Sequence, residues 1–466
     1  MHRQVQIRLT LLLAGLAGLA TLTGLRADDP TSKQGSNKDG PAPAVKPKPL
    51  DGSVERALAY LVSQQQENGG WGQGGGWRNN TQGNGRIEGA NVPDPSDVAN
   101  TCIATLALLR AGHTPQDGKY AKHVARAVDF ICQNVEKADT KSLYVTDIRG
   151  TQVQGKIGPY VDTFLTSLVL AELKGRMPND QSEKRLVAAL NKTIGKIEDN
   201  QNADGTFAGN TGWATVFSQG LASKGLNRAS QLGGTVKGDA LARAEKQAVE
   251  TFDAKTNTFV ASRTAPAIGA AGETGLGKPA LGLAGGTGTI AASPAGAAGP
   301  SDAGVAIYTV SNSVAALQES VNTNRILEKK CREVLAKPEA SKADKDKAEA
   351  DLKRFKEVEK TCEQATDAIV RRLADQRFIQ GFGSNGGEEF LSYMNISEAL
   401  VVKGGKEWEA WDKAMAENLT RVQDKDGSWS GHHCITGKTF CTATALLVLM
   451  ADRAPVPVTA KMRGGR

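Results

Sequence analysis

The residues whose types could do chemistry begin with three carboxylates. Asp94 and Asp97 share the short run Asp94-Pro95-Ser96-Asp97, and Asp162 holds a comparable place ahead of a later apolar segment. Carboxylates this close raise one another's pKa, and the member that keeps its proton is a general acid. A plainer role fits equally: Asp97 caps the helix that follows, with Pro95 and Ser96 shaping the turn. The recurrence at Asp162 favours capping, and the acid is carried as the alternative. Six cysteines follow: Cys102, Cys132, Cys331, Cys362, Cys434 and Cys441. An even number in an exported chain favours disulfides without fixing their pairing. No serine nucleophile elbow is present. Gly74-Gly75-Gly76 precedes no Lys and follows no strand, so no phosphate loop is present either.

The elements that must position these residues come from a repeat. Six segments each place a hydroxyl ahead of an apolar turn, at Thr105, Ser167, Ser218, Ser313, Ser397 and Thr444, and several end in Gly as a helix C-terminus does. Ahead of most lies an amphipathic helix and a Gln/Gly/aromatic turn. The clearest turns are Gln65–Trp71, Gln201–Phe207 and Gln423–Trp429. Asp-Gly supplies the turn backbone, and the aromatic ring covers the end of the preceding helix. Six helix-turn-helix units therefore account for residues 51–453, with a natural period of about fifty residues. Two longer gaps hold inserts. One is a Gly/Ala-rich loop at 263–304. The other is a charged stretch at 322–363, read as a projecting helical hairpin that turns near Pro338. On such a hairpin Cys331 and Cys362 are far out of register for a disulfide.

The N-terminus reads as an address. Arg3 and Arg8 precede an uncharged apolar run from Leu9 to Leu25, so residues 1–27 are expected to be a secretory signal peptide and the protein secreted or periplasmic. Residues 28–50, rich in Pro, Lys and Gly, read as a disordered linker, and 454–466 as a disordered tail. Cleavage removes three arginines and no acid from a formal net charge of +7, leaving too little dispersed charge for nucleic acid and no span in the mature chain.

The Gln…Asp-Gly-x-Trp/Phe turn followed by a Thr-Ala-x-Ala-Leu-like helix, best at 423–449, resembles the repeat of the prenyltransferase and squalene-cyclase superfamily. The resemblance implies an all-α fold, an α6/α6 toroid in which six inner helices line a cavity for an isoprenoid or other apolar ligand. The cyclases' DxDD motif is not matched at 94–97, and no Asp-Asp-x-x-Asp site for magnesium and diphosphate or thioester Cys-Gly-Glu-Gln is present. Protein prenyltransferases of this fold hold zinc with Asp, Cys and His. Here His432, His433 and Cys441 would be the ligands, beside Cys102 of the first unit, with Asp97 supplying an oxygen. Consecutive histidines point apart, so a Cys434–Cys441 disulfide is preferred and no cofactor is expected. In a toroid Cys102 and Cys132 share one end and form a plausible second pair.

Three functions follow. The first is a terpenoid-cyclase- or prenyltransferase-like protein with unrecognised catalytic residues. Its cavity wall would be formed by the hydroxyl row with Trp71 and Trp429, or that row would only let the helices pack closely. The second is a non-enzymatic binding or scaffold toroid with an apolar small molecule or a protein as partner. The third is a carbohydrate-active α6/α6 barrel, using Trp71, Trp77, Trp213 and Trp429 with Asp97, Asp162, Glu388 and Glu389.

Overall fold

Helix α1 (Gly52–Ser63) begins where the Asp51 carboxylate accepts the amides of Ser53 and Val54, and it buries one face through Val54, Ala57, Leu58 and Leu61. Helix α2 (Val98–Arg110), capped by Asp97, is buried at every residue. This contrast of a one-faced helix followed by one buried all round recurs along the chain. The computed structural model describes residues 45–75, 94–260, 305–375, 383, 386–432 and 434–456. The expected signal peptide, most of the linker and tail, the 263–304 insert, Trp77 and His433 lie outside them.

The one-faced helices are α1, α3 (Ala121–Lys137), α6 (Asp180–Asn200), α8 (Gly238–Glu250), α10 (Lys342–Leu373) and α12 (Gly405–Val422). The enclosed ones are α2, α5 (Val161–Leu173), α7 (Thr215–Gln231), the first half of α9 (Ala306–Ala336), α11 (Glu389–Lys403) and α13 (Lys438–Leu449). A short helix, α4 (Gln152–Ile157), precedes α5. Of the described residues 66% are helical, and their strands are one antiparallel pair, Phe252–Asp253 with Thr258–Phe259. The class is therefore all-α. Among the described residues no helix is long and apolar enough to cross a membrane.

The enclosed helices pack in sequence: α2 on α5, α5 on α7, α7 on α9, α9 on α11, α11 on α13, and α13 back on α2. The one-faced helices lie against them, with α3 and α6 also in mutual contact. Helices α9 and α10 are antiparallel partners joined across 337–341, so the arm expected at 322–363 is continuous with a core helix on one side and an outer helix on the other. Cys362 is buried there with its thiol toward Gln318 Oε1 at 3.8 Å, and Cys331 is half-buried and unbonded.

The Gln/Gly/aromatic turns are copies in atomic detail. Gln65, Gln201 and Gln423 each donate to the carbonyl of the glycine four residues on, at 2.8, 3.5 and 2.9 Å. Those glycines have φ of 87°, 84° and 88°, where a side chain is strained. A Cβ on them would press on the carbonyls of Arg126, Arg243 and Arg56 respectively, so each turn sits flat on the next outer helix. The register is the same between distant units. Gln65 also donates to His123 O at 2.9 Å, and Gln423 to Ser53 O at 2.8 Å. The last turn thus treats α1 as the first turn treats α3.

Candidate functional site

The three carboxylates are spent on backbone. Asp94 accepts the amides of Gln73, Gly74 and Gly75 at 2.8, 3.0 and 3.3 Å. Asp97 accepts both the amide and the side-chain Nδ2 of Asn100 at 2.8 Å, the capping geometry. Asp162 reaches over from α5 to accept Ala99 N at 3.0 Å and Gln154 Nε2 at 2.7 Å. Burial, and secondarily the charge of Asp162, lifts the Asp97 carboxyl to about 7, and burial raises Asp162 as well. An acid titrating near neutrality is therefore present, but Asp97 is 3% and Asp162 2% exposed, and neither faces an opening.

The hydroxyl row and the tryptophans are likewise committed. Thr105, Ser167 and Thr444 donate to carbonyls of their own helices at 2.7 Å. Ser218 donates to Asn210 Oδ1 at 3.0 Å, Ser313 meets Thr251 at 2.6 Å, and Ser397 accepts the Trp411 indole at 2.8 Å. A Cβ on Gly225 would strike Ser167, so these small residues set how closely the inner helices approach. The buried indoles of Trp71 and Trp429 donate to Leu61 O and Leu419 O at 2.7 and 3.0 Å, closing the ends of α1 and α12. Their amides donate to Thr101 and Thr442 hydroxyls, each at 3.0 Å.

Inside the circuit of enclosed helices lies a charged lattice that sequence reasoning did not single out. Glu398 accepts from Arg110 at 3.2 Å and Lys224 at 2.5 Å. Glu172 pairs with Arg228 at 2.7 Å and lies 3.8 Å from Arg110, while Glu319 holds Arg228 at 2.5 Å. Gln231 and Asn227 extend it, each meeting Thr323, and Gln231 also donates to Glu319. All six ionic side chains are buried, three of each sign. Attraction from Lys224, Arg110 and Arg228 outweighs burial and holds Glu398 at about 2. Arg228 is raised further above its ordinary value despite its burial, because Glu319 and Glu172 face it. Arg110, Glu172, Lys224 and Glu319 each lie about one and a half turns past the hydroxyl of an otherwise closed helix, a spacing that does not by itself tell a paired charge from a solvated one. Nearer the helix N-termini, Phe217, Lys224, Asn312, Met394 and Asn395 help line a cavity of about 10 Å³. That is the lower limit for one water molecule.

Where the enclosed helices begin, Cys434 and Thr436 meet α4. Gln152 donates to Cys434 O and to Thr436 Oγ1, and its own oxygen accepts Thr436 N at 3.1 Å. Cys434 has φ of 54°, a strained backbone for a side-chain-bearing residue. Its thiol is near the charge of Glu388, which accepts Tyr308 OH at 3.2 Å and Ile435 N at 3.3 Å. Burial, with Glu388 second, raises that thiol to about 11, so it is protonated and a poor nucleophile. Glu389 accepts the Tyr393 hydroxyl and Gly383 N instead.

The Cys434–Cys441 and Cys102–Cys132 disulfides are not formed. Cys441 directs its thiol to Ile435 O at 3.6 Å, and Cys102 meets Thr166 Oγ1 at 3.6 Å. Cys132 is a buried thiol, and burial lifts it to about 12. His432 is exposed, and no group of three metal-ligating side chains occurs among the described residues. Just ahead of α7, Trp213 stands 58% exposed with the Lys156 ammonium 5.5 Å from its ring. No family model, curated protein or solved structure matches the chain.

Proposed function

We propose that the six helix pairs form a closed α6/α6 toroid of the prenyltransferase and squalene-cyclase type, exported, that works as a binding module through its mouth. The lumen is sealed in this reading and holds no isoprenoid. The observation that carries it is the charged lattice. Arg110 of α2 meets Glu398 of α11, and Lys224 of α7 meets the same carboxylate, although neither pair of helices is adjacent in the packing order. Side chains that meet between non-neighbours cross the axis. Space for an isoprenoid chain would be an apolar pocket of roughly 300 Å³ or more, whereas the cavity beside Lys224 and Asn395 holds about 10 Å³.

The same geometry weighs against chemistry in the lumen. A cyclase acid must touch its substrate, whereas Asp97 and Asp162 are enclosed among backbone amides. A glycosidase needs two carboxylates opposed across an open cleft. Glu388 and Glu389 are instead buried on phenols and amides.

Native mass spectrometry of the exported protein, as isolated and after incubation with squalene or farnesyl diphosphate, tests this reading. The bare polypeptide mass is expected in each case. A stoichiometric adduct that survives desolvation would overturn it.

A further inference from the structure

We propose that the rim of the mouth formed by Tyr144, Arg149, Lys156, Tyr160 and Trp213 binds an acidic glycan, a chain of uronate-type sugars. This rests on the reading of the chain as a binding module and names its ligand. Trp71, Trp408, Trp411 and Trp429 are all buried, while Trp213 stands out in the loop that leads into α7. One exposed indole alone is unremarkable. What distinguishes this one is its setting among alternating cations and rings. The Lys156 ammonium covers one face at 5.5 Å, and with 58% of the residue exposed the other face is open. Tyr144 and Tyr160 pack at 5.0 Å, and the Arg149 guanidinium lies 3.7 Å over Tyr144.

The platform is held in place. Tyr160 donates to Ala208 O at 3.0 Å, and Lys156 O accepts Ala214 N at 2.7 Å, so both ends of the Trp213 loop are tied to the α4–α5 segment. Among the described residues neither Lys156 nor Arg149 forms an ion pair; Arg149 donates to the carbonyls of Thr146 and Ile148, and its charge also acts on buried Asp162. Two cations without ion-pair partners, beside the open face of Trp213, suit a ligand with both carboxylates and an apolar face. The electron-rich face of an indole attracts the C–H face of a pyranose, and a guanidinium or ammonium takes the sugar carboxylate. A nucleic acid would call for many more phosphate contacts than two cations supply.

Quenching of tryptophan fluorescence by a tetragalacturonate, with a neutral galactose tetramer and an oligodeoxynucleotide of equal charge as comparators, tests this. The acidic sugar should saturate the signal and the neutral one bind at least tenfold more weakly. By calorimetry, Trp213→Ala should weaken binding at least tenfold. Lys156→Gln should weaken it about fivefold and flatten its salt dependence. Both side chains are at the surface, and an unchanged melting curve shows that the variants fold. Absence of saturable binding, equal binding of the neutral sugar, or oligonucleotide binding indifferent to Trp213→Ala would each overturn the glycan assignment. Those outcomes with a bare native mass leave the sealed lumen standing, whereas an isoprenoid adduct removes the sealed lumen independently.

Discussion

Replacing Glu398 by Gln keeps the shape of the side chain and removes one of the three negative charges of the buried lattice. Arg110 and Lys224 then face each other with no anion between them. Breaking one side of a buried pair costs about 3–5 kcal/mol, because the surviving charge is left without compensation. The depressed pKa gives a separate figure. Glu398 lies at about 2 in the folded protein against 4.5 unperturbed, a difference of about 3 kcal/mol. Because the folded value is the lower one, this stability is complete above pH 4.5 and is lost as pH falls from there through 2. Urea unfolding at pH 7 should show Glu398→Gln less stable by about 3–5 kcal/mol. Adding Lys224→Met restores the balance of charge, so the double variant should lose about 1–3 kcal/mol less than the sum of the singles. A single variant within about 1 kcal/mol of the parent, or strict additivity, would refute a lattice that spans the lumen.

Three further outcomes follow. Asp97 is raised to about 7 in the fold, so it costs stability as pH rises from 3.8 through 7. Asp97→Asn, which can still cap α2, should flatten the fall in melting temperature between pH 5 and 8. Trp71→Phe and Trp429→Phe each remove the indole's hydrogen bond to a helix-end carbonyl, of Leu61 or Leu419. Each should cost about 0.5–1.5 kcal/mol in denaturant titrations, and Leu61 O keeps the Gln64 amide at 3.0 Å. Mass-spectrometric thiol counting with maleimide on the native protein should label Cys331 first and Cys434 slowly, leaving Cys102 and Cys441 unmodified; rapid labelling of Cys434 at pH 7 would contradict its raised pKa.

The helical class was legible because two periodicities coexist in the chain: one-faced helices alternate with segments such as Thr101–Leu109 that are apolar or small throughout. The Gln/Gly/aromatic turns were legible for a different reason, since φ near 85° demands glycine and the indole needs a carbonyl at fixed reach. The six hydroxyls were found, and each is taken up by a hydrogen bond within the protein; a short hydroxyl so bonded looks the same in sequence as one that faces a cavity. The charged lattice was missed because Arg110 or Glu172 at the end of a helix reads as a solvated terminus. Only the packing order shows that it points at an opposite charge. Disulfides expected from cysteine number alone were not formed, for number says nothing of which thiols the fold brings together.

Closure of the ring is the premise of the whole account, and it predicts contacts between residues at the two ends of the sequence. Lys48 forms an ion pair with Asp412 on α12, and its amide donates to Asp452 at 2.6 Å. A carbodiimide joins only an amine and a carboxylate already in contact. Treating the native protein and mapping its peptides should therefore reveal an amide between Lys48 and Asp412, alongside the short-range link between Lys438 and Asp426 as the internal control. Recovery of the Lys438–Asp426 link without the Lys48–Asp412 link would mean that the last helix pair does not return to the first.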